Sequence, residues 1–182
     1  MPRTRDCPVG VLGLGAIGSD VAAKFRALGF PVRGWSRTHR SLAGVECFAG
    51  SAGPRPFLAG CRALVCVLPL TLETRGLLDG ATLAALPRGA YFVNIARGAV
   101  VVEEDLLGLL DSGHLAGAAL DVFRAEPLPD DSRFWTHPNV VVTPHIAAIT
   151  DAEACVHQVA EAVRRARAGQ PLANLVDRAR GY

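Results

Sequence analysis

Lysine is almost missing from this chain: Lys24 is the only one among 19 basic side chains, the rest being arginine. The skew is a compositional bias and marks no site. Charge is close to balanced as well, with a formal net charge of +2. No basic block stands out, which excludes nucleic acid and anionic membrane surfaces as partners. No apolar run is long enough to span a bilayer. The short run that follows Arg3 and Arg5 is broken by glycine, so it is no secretory signal. The five cysteines (Cys7, Cys47, Cys61, Cys66 and Cys155) are odd in number and form no C-x-x-C pair. That excludes a disulfide framework and a zinc site, so no metal is expected. Reduced, mostly buried thiols in a cytoplasmic protein are expected instead. H-E-x-x-H, G-x-S-x-G and P-loop lysine motifs are missing too, which removes metalloprotease, serine hydrolase and kinase readings.

What is present is enough for one well-buried soluble domain and too little for two of ordinary size: of 182 residues, 50% are apolar and 20% charged. The chain is organised around Val9 to Phe30, "VGVLGLGAIGSDVAAKFRALGF". An apolar β-type run breaks into Gly13-Leu14-Gly15-Ala16-Ile17-Gly18, then Ile17, Val21, Phe25 and Leu28 recur at helical spacing. Gly13 permits a tight turn, Gly15 lets a pyrophosphate approach the backbone, and Gly18 lets helix and strand pack closely. Ala16 and Ile17 open the helix, whose free N–H groups and partial positive charge face the phosphates.

The chain then alternates. Strands are expected at Pro31 to Trp35, Val45 to Phe48, Ala63 to Leu68, Tyr91 to Ile95, Gly117 to Val122 and Val140 to Thr143. Helices are expected late in Pro54 to Cys61, over Gly80 to Pro87, from Val101 or Val102 to Leu110, and from Asp151 to about Ala168. This order predicts an α/β fold of Rossmann type, a doubly wound parallel sheet with right-handed crossovers. Residues 1–150 form the NAD(P)-binding domain in this reading, and 151–182 a C-terminal helix and tail.

At the end of the second strand a dinucleotide fold meets the adenine ribose, where an Asp or Glu accepts from the 2′-OH. Here Trp35, Ser36, Arg37 and Thr38 stand in that place. A cation favours a 2′-phosphate, so NADP(H) is preferred and NAD(H) remains possible. One charge-assisted contact is worth roughly 1.5–3 kcal/mol. Arg40 is a further candidate; the alternative is that both arginines are solvated surface cations.

Ligands in such sheets bind beyond the carboxyl ends of the strands. Arg97 follows "YFVNI", Glu126 lies past "GAALDVF", and His145 follows "VVVTP". A carboxylate within reach of a histidine stabilises the imidazolium and fixes its orientation. An arginine nearby offers a fork for a carboxylate or a developing oxyanion. Each residue has a plain alternative, respectively a turn residue, a solvated loop charge and a backbone-bonded histidine. Together, downstream of a phosphate loop, they read as a site. His39, His114 and His157 read as surface residues, and His137 as a structural loop histidine.

The stretches "GLGAIG", "LPLTLETRGLL", "FVNIARGAVVVEEDLLGLLDSG", "GAALDVFRAEPLP" and "HPNVVVTPHIAAIT" resemble the nucleotide-binding domain of the D-isomer-specific 2-hydroxyacid dehydrogenases. "RGWSRT", "AAIT" and the ending "VDRARGY" are most similar to the bacterial glyoxylate/hydroxypyruvate reductase A type. The resemblance implies that Arg97 holds the carboxylate and carbonyl of a small 2-oxo acid, that His145 donates the proton, and that Glu126 is its partner. It also implies that Asp121 contacts the nicotinamide end and that Leu68, Pro69 and Thr74 line the adenine side, with Ile95 and Ala96 joining the cofactor-binding set.

The family carries a substrate-binding domain built mostly from residues before the glycine loop, whereas only Met1 to Pro8 precede the first strand here. A segment of roughly a hundred residues is therefore expected to be missing. With it go one wall of the cleft and a dimerisation helix, so a homodimer is expected to be weakened. Leu172, Leu175 and Val176 of the tail would dock on that absent domain, and self-association or a mobile tail is expected. Two readings follow. One is an NADPH-dependent reductase of glyoxylate, hydroxypyruvate or a related 2-oxo acid; the other is a truncated, catalytically weak NADP-binding module of such an enzyme.

Overall fold

The computed structural model describes residues 3–50, 54–148, 151–173 and 175–178. The ends of two of the stretches above, 149–150 and 179–182, lie outside the described residues, as does the expected boundary at 150. The chain divides into two compact units, Met1–His145 and Ile146–Tyr182.

The first unit holds seven parallel strands: β1 Val9–Leu12, β2 Val32–Ser36, β3 Val45–Ala49, β4 Ala63–Cys66, β5 Ala90–Asn94, β6 Leu115–Leu120 and β7 Val140–Val142. Their order is β3-β2-β1-β4-β5-β6-β7. The order reverses between β1 and β4, and such reversals open a crevice beyond the carboxyl ends of the strands. β1 is buried along its whole length, as a central parallel strand covered on both faces must be. In register, Leu12 lies between Trp35 of β2 and Cys66 of β4. Leu12, Trp35, Phe57, Leu64, Phe92 and Leu106 belong to the larger core cluster. Val11, Leu14, Ala22 and Val32 form a separate, smaller one.

The helices are α1 Ala16–Ala27, α2 Arg55–Leu58, α3 Gly80–Leu83 and α4 Glu103–Asp111, with α5 Ala152–Arg167 in the second unit. In α1 only part of the helical apolar spacing packs: Val21 and Phe25 are half-buried against the smaller core cluster, and Ile17 and Leu28 are not. Ile17 and Leu28 are 66% and 68% exposed, and the buried positions are Gly18 and Ala22. Small residues let the helix axis come close to the sheet, and close approach takes precedence over apolar bulk here. α3 is shorter than its apolar run, giving way to tight turns in which Ala85 N–H bonds Thr82 O and Leu86 N–H bonds Leu83 O. Pro87 has no N–H with which to extend it. Asp79 caps α3, its carboxylate accepting from Thr82 N–H at 2.7 Å. The proline-rich loop before β7 contains a 3-10 turn, Arg133–Trp135, whose buried Phe134 packs on Phe123. No sequence signal marked that turn.

His137 accepts Asn139 N–H on Nδ1 at 3.1 Å and is mostly buried, in keeping with its structural reading. His114 differs from its surface reading: it is half-buried and its Nε2 meets Leu86 O at 3.0 Å. No helix among the described residues is long and apolar enough to cross a membrane.

Cys61 and Cys66 are fully buried, and burial pushes both thiols up from 9.0 to about 12. Cys155 is exposed. A thiol reagent at neutral pH therefore reacts with Cys155 first, and with Cys61 and Cys66 only after unfolding. The folded pKa values lie above the unfolded one, so this contribution to stability is complete below pH 9.0 and declines as pH rises towards about 12. Thermal melts across that range, on wild type and on Cys66→Ser, read it: the serine variant loses part of the alkaline slope.

Candidate active site and dinucleotide cradle

Beyond β1 the chain turns at Gly13, which holds a φ of +111° that L side chains rarely adopt. Its N–H bonds Trp35 O at 2.9 Å, tying the turn to the end of β2. A Cβ on Gly18 would lie 1.7 Å from Gly13 O, so α1 meets the turn only because that position is bare. Gly15 is the N-cap of α1; it is exposed, and a Cβ there would meet nothing within 4 Å among the described residues. No side chain among the described residues caps this N-terminus. Leading amides of a helix have no intrahelical partner and carry partial positive charge. An open glycine face at such an end fits a pyrophosphate.

Along the adenine side, Ser36 Oγ donates to Thr38 O at 2.8 Å. The partly exposed Arg37 places Nη1 2.8 Å from Glu73 Oε2. Trp35 does not face this surface: it is 8% exposed and sits in the core, where its Nε1 has no hydrogen-bond partner among the described residues. Leu68 is likewise buried, and Pro69 half-buried. The Thr74 hydroxyl is used within its own loop. It donates to Pro69 O at 2.7 Å and accepts Thr71 N–H at 2.8 Å, while Thr74 N–H returns to Thr71 Oγ1 at 3.2 Å. Side-chain contacts of this kind make a stiff turn.

Arg97 is presented by a loop that Asn94 builds. Asn94 is buried; its Oδ1 accepts Ala96 N–H at 3.1 Å and its Nδ2 donates to Arg97 O at 3.3 Å. Ala96 is buried, Ile95 half-buried, and Arg97 exposed, with Nη1 donating to Ala96 O at 2.6 Å. The next residue, Gly98, is pressed against the loop that follows β6. A Cβ there would fall 1.9 Å from the Phe123 carbonyl carbon and 2.2 Å from its oxygen.

That second loop carries Glu126. One carboxylate oxygen accepts Phe123 N–H at 2.9 Å, and the other lies 2.8 Å from Nδ1 of His145. His145 adopts a φ of 56°, and its N–H donates to Asp121 O at 2.9 Å. Asp121 is buried and joins three strand ends: its N–H bonds Asn94 O at 3.0 Å and its Oδ1 accepts the Thr143 hydroxyl at 2.5 Å. Arg97, Glu126 and His145 thus stand beyond the ends of the adjacent strands β5, β6 and β7. With Nδ1 engaged by the carboxylate, Nε2 of the half-exposed imidazole is the nitrogen left for proton exchange.

Burial pushes the Glu126 carboxyl up, but Phe123 N–H, the hydrogen bond and charge of His145, and the charge of Arg97 together hold it below its ordinary 4.5. A depressed folded pKa gives stability that is present above the unfolded value and is lost as pH falls through the folded one. Glu126→Gln should therefore melt below wild type near neutrality, with the gap closing as pH drops below about 4.5. A gap that stays constant with pH would mean that the ionised form is not what the loop holds.

Asn94, Gly98 and Thr143 were not singled out in the sequence. The only trace is polar or bare residues at the ends of apolar strands.

Residues 2–147 match the family described as D-isomer specific 2-hydroxyacid dehydrogenase, NAD binding domain. The chain belongs to this family. It is 47% identical over 180 residues to the glyoxylate/hydroxypyruvate reductase A of Klebsiella pneumoniae (strain 342), an alignment covering 99% of this chain and 58% of that protein. The chain therefore spans 58% of the length of this curated relative. Among solved structures, a D-isomer specific 2-hydroxyacid dehydrogenase of Xanthobacter autotrophicus Py2 in complex with NADPH and MES superposes with a TM-score of 0.97 at 51% identity, covering all of this chain and 76% of that one. The NADPH-dependent glyoxylate/hydroxypyruvate reductase of Sinorhizobium meliloti, in complex with NADP and sulfate, gives 0.95 at 46% identity, covering all of this chain and 58% of the other.

Proposed function

We propose that this dehydrogenase-family chain is the cofactor-binding half of an NADPH-dependent reductase acting on glyoxylate, hydroxypyruvate or a related 2-oxo acid. The observation that carries the reading is the Glu126–His145 contact at 2.8 Å, in the electrostatic field of Arg97, in the same unit as an open glycine turn. Gly13, Gly15 and Gly18 with the first amides of α1, at Ala16 and Ile17, would hold the pyrophosphate, and Ser36, Arg37 and Thr38 the adenosine 2′-phosphate. Pro69 and Thr74 would line the adenine side through their backbone and loop surface, Ile95 and Ala96 the route to the nicotinamide, and Asp121 its far end. NADPH supplies the reducing equivalent when bound.

The chain's own side chains account for the rest. Arg97 offers paired N–H donors to the substrate carboxylate and to the carbonyl oxygen as charge develops there. Protonated His145 gives its Nε2 proton to that oxygen, and Glu126 stabilises the imidazolium before transfer and keeps the ring aimed. The product is the 2-hydroxy acid, and the imidazole is reprotonated from solvent.

A second reading is a catalytically weak NADP-binding module, since such chemistry needs a closed cleft that excludes water and this unit shows a half-exposed His145. Oxidation of NADPH by glyoxylate and by hydroxypyruvate separates the two. Turnover supports the reductase reading for this chain. Binding of NADPH without turnover supports the module, and a failure to bind NADPH overturns both.

A further inference from the structure

The arginine assigned to the 2′-phosphate already faces an anion. Arg37 Nη1 lies 2.8 Å from Glu73 Oε2, across 36 positions of sequence. Glu73 is not held there by chance of a floppy loop. It sits in the turn that Thr71 and Thr74 close on themselves, and Thr74 Oγ1 anchors that turn to Pro69 O at 2.7 Å. Glu73 is 71% exposed at its side chain and Arg37 37%, so the pair is reachable from solvent.

We propose that Glu73 is a specificity-determining residue: its carboxylate occupies the anion seat at Arg37 and must yield it to the 2′-phosphate of the cofactor. This rests on the reading of Arg37 given under Proposed function. The exchange has a direction. An exposed ion pair is weak, whereas a phosphate near two negative charges and with three acceptor oxygens competes well for a guanidinium fork. Binding therefore proceeds, but it loses the Arg37–Glu73 attraction and leaves a carboxylate beside the phosphate. A cofactor with a bare 2′-hydroxyl leaves the pair intact. Glu73 thus narrows the gap between NADPH and NADH that Arg37 opens.

The test uses the adenosine half alone, adenosine 2′,5′-bisphosphate against 5′-AMP, by calorimetry on the whole chain. Wild type is expected to bind the bisphosphate more tightly than AMP. In Glu73→Gln the bisphosphate is expected to bind about two- to fivefold more tightly still, with AMP unchanged, the range that an exposed pair allows. Raising the salt should shrink the difference. Arg37→Ala should remove the preference for the bisphosphate, and with it any effect of Glu73→Gln in the double variant. Equal affinity of wild type for the two ligands overturns the assignment of Arg37, and the inference with it. A wild-type preference that Glu73→Gln leaves unchanged, or weakens, overturns the role of Glu73 alone.

Discussion

On the proposed reductase function, His145→Asn is expected to lower NADPH-dependent reduction of glyoxylate by about 10²- to 10⁴-fold, the range for loss of a positioned proton donor, while NADPH binds as in wild type. Asparagine isolates the chemistry from the fold. The backbone at 145 sits at a φ of 56°, and asparagine tolerates that left-handed region better than most residues. Its amide also donates towards Glu126, so the loop keeps a partner for its carboxylate. What disappears is the transferable proton on Nε2. The measurement is single-turnover oxidation of NADPH at saturating glyoxylate, beside a binding titration of the same sample. Unchanged turnover would remove His145 as the donor; lost NADPH affinity would place it in the cofactor cradle instead.

Gly98→Ala is expected to do comparable damage from a position with no reactive atom. A Cβ there would stand 1.9 Å from the backbone of Phe123, far inside van der Waals contact. Backbone cannot rotate aside as a side chain does, so the loop bearing Arg97 and the loop bearing Glu126 must part. A displacement on the order of 1 Å can cost about 10²-fold in turnover. Overpacking of this kind costs roughly 1–3 kcal/mol, and each kcal/mol lowers the melting temperature of a chain this size by roughly 2–4 °C. Gly108→Ala is the control, since a Cβ on that α4 glycine would meet nothing within 4 Å among the described residues. It should leave turnover alone and raise the melting temperature slightly, as alanine is about 1 kcal/mol better than glycine inside a helix. Amide shifts at Phe123, Glu126 and His145 should move in Gly98→Ala and stay fixed in Gly108→Ala. Equal behaviour of the two variants would mean that the loops are not interlocked.

The difference between these two residues also explains what a sequence can be read for. His145, Glu126 and Arg97 are conspicuous because a reactive polar side chain follows each of three apolar strands. The strands themselves are plain because a sheet covered on both faces demands continuous apolar runs. Gly98 is invisible by the same logic. Its requirement comes from Phe123, which reaches it only once β5 and β6 are paired. Asn94 and Thr143 owe their roles to bonds made across strand ends, again set by pairing. α1 misleads in part, for a different reason. Helical periodicity selects Ile17, Val21, Phe25 and Leu28; Val21 and Phe25 do pack on the smaller core cluster, but Ile17 and Leu28 stay exposed and the fully buried positions are the small residues Gly18 and Ala22. Trp35 lies next to Ser36 and Arg37 in sequence, but strand alternation turns its side chain into the core. The Arg37–Glu73 pair joins two loops that no local pattern connects.

The central claim is that a cofactor cradle and a proton-donating wall share one unit of this chain, and calorimetric titration with NADPH and then NADH tests it most directly. One NADPH is expected to bind per chain, more tightly than NADH, with the NADPH affinity falling as salt rises because a 2′-phosphate meets Arg37. Saturable heat absent for both cofactors would contradict it, because the open turn at Gly13, Gly15 and Gly18 would then be a packing device and nothing more.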